Sequence, residues 1–379
     1  MKNKIWALGV GLVVVATTLT ACSQADVATS SPASSEGSAA ATAALAKSYD
    51  GVGTSLTLDA ISNIPTGVNV YIISCGEAIA GCSVPTAAVK TAAEKLGWKA
   101  SIADGKLSPE GFGTAIRQAI AGGASVIIPV GIDCSFAAAA FQEAATAGIK
   151  IIGGGGVDDC SPTVWSSQTK WLDGYTPITQ WNKFGAIQAD YAFGKQNGNV
   201  KAVVINFTGA AFGPWLTDGF NAEISALGAT DAVVQTIDVS NAEATDGSFV
   251  QKITTALLNH PDVNTLIVPN DNLIAGGLGA AIVQTGNPNL LVVSRGGDAA
   301  VLDMIRAGGQ GVNATVGYAV DWLGWGAVDT AARALTGGQA AWIGNSAQLI
   351  DADHNLPASG SYQGAVDYQK VFLQAWGKS

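Results

Sequence analysis

Charge is scarce in this chain. Of its 379 residues only 13% are charged, 19 basic against 29 acidic, and the net charge of −10 is scattered without a run of five like charges. A nucleic-acid partner requires a basic patch, so that class of function is excluded. Histidine is scarcer still: His260 and His354 are the only two, both far in sequence from any cysteine, and no Cys-x-x-Cys occurs. Neither a metal centre nor any other cofactor is expected from such a set. Gly-x-Ser-x-Gly is absent, neither histidine sits in a catalytic motif, and the acid pair Asp158-Asp159 is adjacent, so its side chains diverge in extended chain. Gly153–Gly156 lacks the Gly-Lys-Ser/Thr ending of a phosphate cradle and predicts a tight loop instead. After the first apolar stretch, no segment is apolar for long enough to span a bilayer.

That first stretch is informative. Lys2 and Lys4 precede the apolar run Ile5 to Val15, which is followed by Leu19-Thr20-Ala21-Cys22. The pattern resembles the lipobox of bacterial lipoproteins. The resemblance implies a signal peptide over 1–21 and a diacylglyceryl group on the Cys22 thiol. Residues 23 to about 48 are Ser, Ala, Thr and Gly with few large apolar side chains, a composition that reads as a flexible tether. The anchor and tether together occupy 22–65.

Four cysteines remain: Cys75, Cys82, Cys134 and Cys160. An even number in an exported chain favours disulfides, with three pairings possible. Cys75 and Cys82 flank a short loop after the first strand, and Cys134 and Cys160 each follow a strand end. The pairing 75–82 and 134–160 is therefore favoured.

From Val68 onward the chain alternates strands and helices. Val126 to Val130 and Ile149 to Ile152 are near-continuous apolar runs, as expected of parallel strands covered on both faces. The rhythm breaks at Thr163 to Asn182, which reads as a strand at Thr163–Ser166 and an irregular excursion. A second α/β series then begins, with a helix at Phe184–Gln196 and a last strand at Ala347–Asp351. The fold class is α/β, two doubly wound parallel sheets, and ligands of such sheets bind beyond the carboxyl ends of the strands.

Several stretches carry a family resemblance. They are Ala-Ala-Glu-Lys-Leu-Gly-Trp-Lys at 92–99, Ile116 to Gly123, Ile267-Val268-Pro269-Asn270-Asp271, and Arg333 to Gly338. In this order and spacing the chain resembles the type I periplasmic solute-binding proteins of the ribose-binding kind, which serve ABC importers. The resemblance implies two lobes joined by a three-crossing hinge: 66–170 plus 319–346, and 171–318 plus 347–379. It further implies a monomeric, lipid-anchored, extracytoplasmic protein that closes on a small solute and delivers it to an ABC permease. A sugar or sugar-like solute leads, with aromatic or carboxylate solutes as alternatives. Two other readings are a ligand-presenting sensory protein and, from another class, an exported hydrolase.

Candidate ligand residues follow from strand ends and from the family pattern. Asp133 is a ligand contact or a helix cap. Of Asn270 and Asp271, one contacts ligand and the other caps. Asp298 is cap or contact. Arg295 forks onto a ligand carboxylate or lies solvated at the rim. Trp215 stacks on a ligand or joins the core, and Tyr318 lies near a crossing. Glu77 occupies the first-strand loop. Where the family carries an arginine before Gly-Phe this chain has Trp215 to Phe220, and Tyr318 stands where a glutamine is frequent. Trp165, Trp171 and Trp181 are candidates for the cleft mouth, with packing at a lobe junction the alternative for at least one, whereas Trp322 and Trp325, at helical spacing, are candidate core.

Overall fold

In the computed structural model, residues 35–378 are described. The expected signal segment and Cys22, the expected lipidation site, lie outside the described residues, as does the first part of the expected tether.

The rest of the expected tether begins with a helix. Ser35–Asp50 forms α1. Its inner face is made of small groups, with Ala41, Ala44 and Ser48 buried. Ala is the best helix former, so a stretch poor in large side chains is still a good helix once it has a surface to dock on. The tether expectation is corrected here: this helix is packed against the body of the second lobe.

The first lobe follows. Its elements are β1 (Asn69–Ser74), α2 (Ala80–Lys95), β2 (Lys99–Asp104), α3 (Pro109–Ala121), β3 (Val126–Val130), α4 (Ala138–Thr146), β4 (Lys150–Gly153) and β5 (Ser167–Gln168). The strands lie in the order β2-β1-β3-β4-β5, all parallel. All five residues of β3 are buried, as its unbroken apolar run requires. The strand expected at 163–166 is the two-residue β5, one step later.

In the second lobe, α5 (Pro177–Lys195) starts earlier than its apolar pattern suggested. Thr176 caps it, accepting from the Thr179 amide, and Pro177 occupies the first turn. Trp181 is thereby helical. Then come β6 (Ala202–Phe207), α6 (Phe212–Ala226), β7 (Val233–Val239), α7 (Asn241–Asp246), α8 (Ser248–Asn259) and β8 (Thr265–Ile267). A helical turn α9 (Asp271–Leu273) widens at Ile274–Leu278 into α10 (Gly279–Thr285). The wide turn passes through Gly277 at φ 114°, which a side chain would resist. After β9 (Leu291–Gly296), α11 (Ala299–Ala307) and β10 (Ala314–Tyr318), the helix α12 (Val320–Leu335) returns to the first lobe and packs on α2. The strand β11 (Ala347–Ile350) pairs antiparallel with β10. The sheet order is β11-β10-β9-β8-β6-β7.

Beyond β11 the expected assignment of 347–379 to the second lobe does not hold. The helix α13 (Tyr368–Ala375) lies on α12 of the first lobe. Tyr368 stacks on Trp322 with ring centroids 5.4 Å apart, and Trp376 stacks on Trp325 at 5.5 Å. Trp322 and Trp325 are core, as their spacing predicted. The physical reason is aromatic burial: Tyr368, Phe372 and Trp376 lay their rings on Trp322 and Trp325 of α12. Passages between lobes near 168–177, at 318–320 and before Ala347 match the family hinge, and α1 and α13 add two more.

Both favoured disulfides are formed, Cys75–Cys82 and Cys134–Cys160, with Cα separations of 5.4 and 5.5 Å.

Candidate functional site

The carboxyl ends of the parallel strands in the two sheets face each other across a cleft of about 510 Å³. Its walls are the loops after β1, β3 and β4 on one side and those after β6, β8, β9 and β10 on the other. The lobes touch at its edges. A Cβ on Gly81 of the first lobe would lie 2.9 Å from the Asn272 Nδ2 of the second, which marks a close approach between the lobes.

Asp133 lies in the loop after β3 and lines the cleft, buried to 7% exposure. It does not cap the helical turn that follows. Its Oδ1 accepts from the Val157 amide at 3.0 Å, and its Oδ2 accepts from the Ala211 amide of the opposite lobe at 3.0 Å. Burial pushes its pKa up, while the two amide hydrogen bonds hold it down. The residue thus acts as a strut between lobes as well as a wall of the cleft.

After β8, Asn270 caps α9, its Oδ1 accepting from the Leu273 amide at 3.2 Å. Its amide nitrogen makes no hydrogen bond among the described residues. Asp271 is only 1% exposed and is spent internally. Its Oδ2 accepts from the amides of Gly297 and Asp298 at 2.7 and 3.0 Å, and its Oδ1 accepts from the Thr315 hydroxyl at 2.9 Å. The structure therefore gives Asp271 a positioning part, pinning the β9–α11 loop.

The loop that Asp271 pins presents Asp298. This residue precedes α11, yet its side chain forms no cap. Its carboxyl group is pushed up to about 7 by burial and by the charge of Asp271, against the opposing pull of Arg295. At neutral pH it switches between hydrogen-bond donor and acceptor.

Arg295, at the end of β9, is 6% exposed rather than solvated at a rim. Its Nε donates to the Pro269 carbonyl at 2.9 Å. Its guanidinium lies over the rings of Trp181, Phe212 and Tyr318 at 5.0, 4.9 and 5.1 Å from their centroids, within cation–π range. Among the described residues no carboxylate forms an ion pair with it. Burial raises the Tyr318 pKa, opposed by the same guanidinium. Trp171 buttresses this box from behind, 5.6 Å from Trp181 and 6.1 Å from Tyr318. Trp215 lines the cleft from α6, half-buried, while Trp165 packs on Phe141 inside the first lobe.

Glu77 is corrected. The loop between Cys75 and Cys82 turns so that the Glu77 amide donates to Asp104 at 3.1 Å, and Ala78 to Gly81 form the wall instead. Gly153–Gly156 is the tight loop its composition predicted. A Cβ on Gly156 would sit 2.0 Å from the Ile132 carbonyl oxygen, so the run exists to pack against the loop after β3. Sequence reasoning missed the aromatic and aliphatic lining: Ile79, Leu107, Phe112, Phe136, Phe207 and Phe212. The available signal was position, since Phe136 follows Asp133 by three residues in a strand-end loop and Phe212 opens α6.

Among the described residues, the one cluster with metal-ligand types is Cys134, Asp158 and Cys160. Its two sulfurs are bonded to each other, and Asp158 accepts from the amides of Val164 and Trp165. What the cleft offers is binding chemistry: polar groups that lack partners, set among aromatic rings.

The family model described as periplasmic binding protein domain matches residues 72–339. No curated protein matches the chain. Solved structures with a similar fold include an ABC transporter solute binding protein from Mycobacterium smegmatis with bound glycerol. It is 20% identical, with a TM-score of 0.62, over 78% of this chain and 99% of its own. Another is the periplasmic binding component of the arabinose ABC transporter from Shewanella sp. ANA-3, bound to L-arabinofuranose. It is 22% identical, with a TM-score of 0.62, over 81% and 97%. A third is the 5-methylthioribose transporter solute binding protein from Thermotoga lettingae. It is 19% identical, with a TM-score of 0.63, over 84% and 96%.

Proposed function

The chain belongs to the periplasmic binding protein domain family, and from that premise we propose that it captures a sugar or sugar-like solute between its lobes and hands it to an ABC import permease. The family is one of extracytoplasmic solute binding, not of catalysis, so the hydrolase reading is set aside. The observation that carries the proposal is the gathering of Asp298, Asn270 and Arg295 with aromatic rings where the strand ends of two lobes meet. Hydroxyl groups both donate and accept, so a polyol satisfies a carboxylate, an amide and a guanidinium together. Aromatic faces suit the apolar face of a sugar ring. The names of the similar structures, with glycerol, arabinofuranose and 5-methylthioribose, agree with a polyol.

Capture works by closure. Solute enters between open lobes and stabilises the closed form in proportion to its preference for it. The closed body then docks on the permease, and a lipid on Cys22 keeps it at the membrane surface. A thermal-shift screen of the purified protein against pentoses, hexoses, polyols, amino acids and aromatic acids tests the reading. Ligand that binds only the folded form raises Tm by mass action. A shift with sugars or polyols supports the proposal; shifts confined to amino acids or aromatic acids reject the sugar assignment.

A further inference from the structure

The two walls of the cleft differ in chemistry. The second lobe supplies Asn241, Asn270, Asn272, Arg295 and Asp298. The first lobe supplies a single polar side chain, Asp133, and both its oxygens are already engaged by the amides of Val157 and Ala211. Every other first-lobe side chain on that wall is apolar. Ile79, Leu107 and Phe136 are half-buried, standing at the fringe of a core cluster that includes Ile73, Phe112 and Ile132. Phe136 meets Phe112 edge to face at 6.4 Å. Leu107 has room at the cleft because the facing residue is Gly76, where a Cβ would stand 3.0 Å from the leucine Cγ.

A sugar with hydroxyls all round its ring would have to bury some of them against this wall without side-chain partners, which costs free energy. Apolar surface there gains instead. Resting on the solute-capture reading, we infer that the solute is amphiphilic. Its polyhydroxylated head is held by the second lobe, and an apolar substituent, aryl or alkylthio, lies against Ile79, Leu107 and Phe136 of the first.

Isothermal titration of matched compounds tests this. For each sugar that raises Tm, the probes are the free sugar, its methyl glycoside, its phenyl glycoside at either anomer, and its terminal-carbon methylthio derivative. At least one phenyl or methylthio compound binds about tenfold or more tightly than the free sugar and methyl glycoside. Leu107→Asn and Phe136→Asn, both at half-buried positions, each remove most of that gain, so that in the variants the substituted compound and the methyl glycoside bind within about twofold of each other. Equal or weaker binding of every substituted compound overturns the inference while leaving sugar capture intact. An undiminished gain in both folded variants, checked by circular dichroism, overturns the placement on the first lobe. Absence of binding by every sugar and derivative rejects the polyol head, and the inference falls with it.

Discussion

The Oδ2 of Asp133, in the first lobe, accepts a hydrogen bond from the backbone amide of Ala211, in the second, at 3.0 Å. The same carboxylate holds the Val157 amide of its own lobe, so one side chain both shapes the β4 loop and latches the cleft. Hydrogen bonds to a charged group contribute about 1.5–3 kcal/mol, and this one exists only when the lobes are together.

Asp133→Ala therefore shifts the protein toward the open form and lowers ligand affinity by about tenfold or more. Asp133→Asn, with one carbonyl acceptor for two amides, falls between. Titration calorimetry reads the affinity, and small-angle scattering of the ligand-free variant reads a larger radius of gyration. Wild-type affinity and radius in Asp133→Ala would remove the latch.

Asp298 makes binding depend on pH. With its pKa near 7, the carboxyl group loses its proton across neutrality and becomes an acceptor for ligand hydroxyls. Affinity for a hydroxylic ligand rises between pH 5.5 and 8, and Asp298→Asn flattens that dependence. The stability of the empty protein runs the other way. A carboxyl raised in the folded state keeps its proton there after the unfolded chain has lost it, so its contribution declines from about pH 4 to about pH 7. Titrations at the two pH values check the first sign, and denaturant unfolding across the window checks the second.

The Cys134–Cys160 disulfide joins residues 26 apart in sequence, with Asp133's neighbour at one end. Loop entropy alone assigns about 3 kcal/mol to such a crosslink. Cys134→Ser with Cys160→Ser lowers unfolding free energy by that order in urea melts and weakens ligand binding as the β3 and β4 loops loosen. A double variant as stable as the parent would contradict the entropic account.

Tyr49 secures α1. Its hydroxyl donates to the Asp351 carboxylate at 2.7 Å while its ring stacks on His354 at 3.8 Å. Burial alone would raise the Asp351 pKa; hydrogen bonds from Tyr49, His354 and the Asp353 amide, with the charge of Lys195, outweigh it and bring the group down to about 2. A depressed carboxylate stabilises the fold above about pH 4, and that contribution is lost as pH falls toward 2. Tyr49→Phe costs about 1.5 kcal/mol at pH 7 and less at pH 2.5. An equal loss at both pH values would show that the hydroxyl is not paired with the carboxylate.

Strands announced themselves in the sequence because their side chains are large and their runs short: Val126 to Val130 is legible to anyone counting apolar residues. The helix α1 was not, because its buried face is Ala41, Ala44 and Ser48. It seats on Gly194, where a Cβ would lie 2.7 Å from the Leu45 Cβ. Packing of small groups on glycine leaves almost no hydropathy signal. The site was legible in part for a related reason. Position at or after a strand end brought Asp133, Asn270, Arg295 and Asp298 to the cleft wall. Their partners could not be read, since what separates Asp271 from Asp298 is which amides and hydroxyl reach it. The place of Glu77 could not be read because a loop of six residues between bonded cysteines can turn either way.

The two ends of the folded body ride on different jaws: α1 on the second lobe and α13 on the first. Any hinge motion must change the distance between them. Dyes attached near Ser35 and Gly377 would turn occupancy into an optical signal, which makes the body a displacement gauge with its terminals already wired to opposite arms.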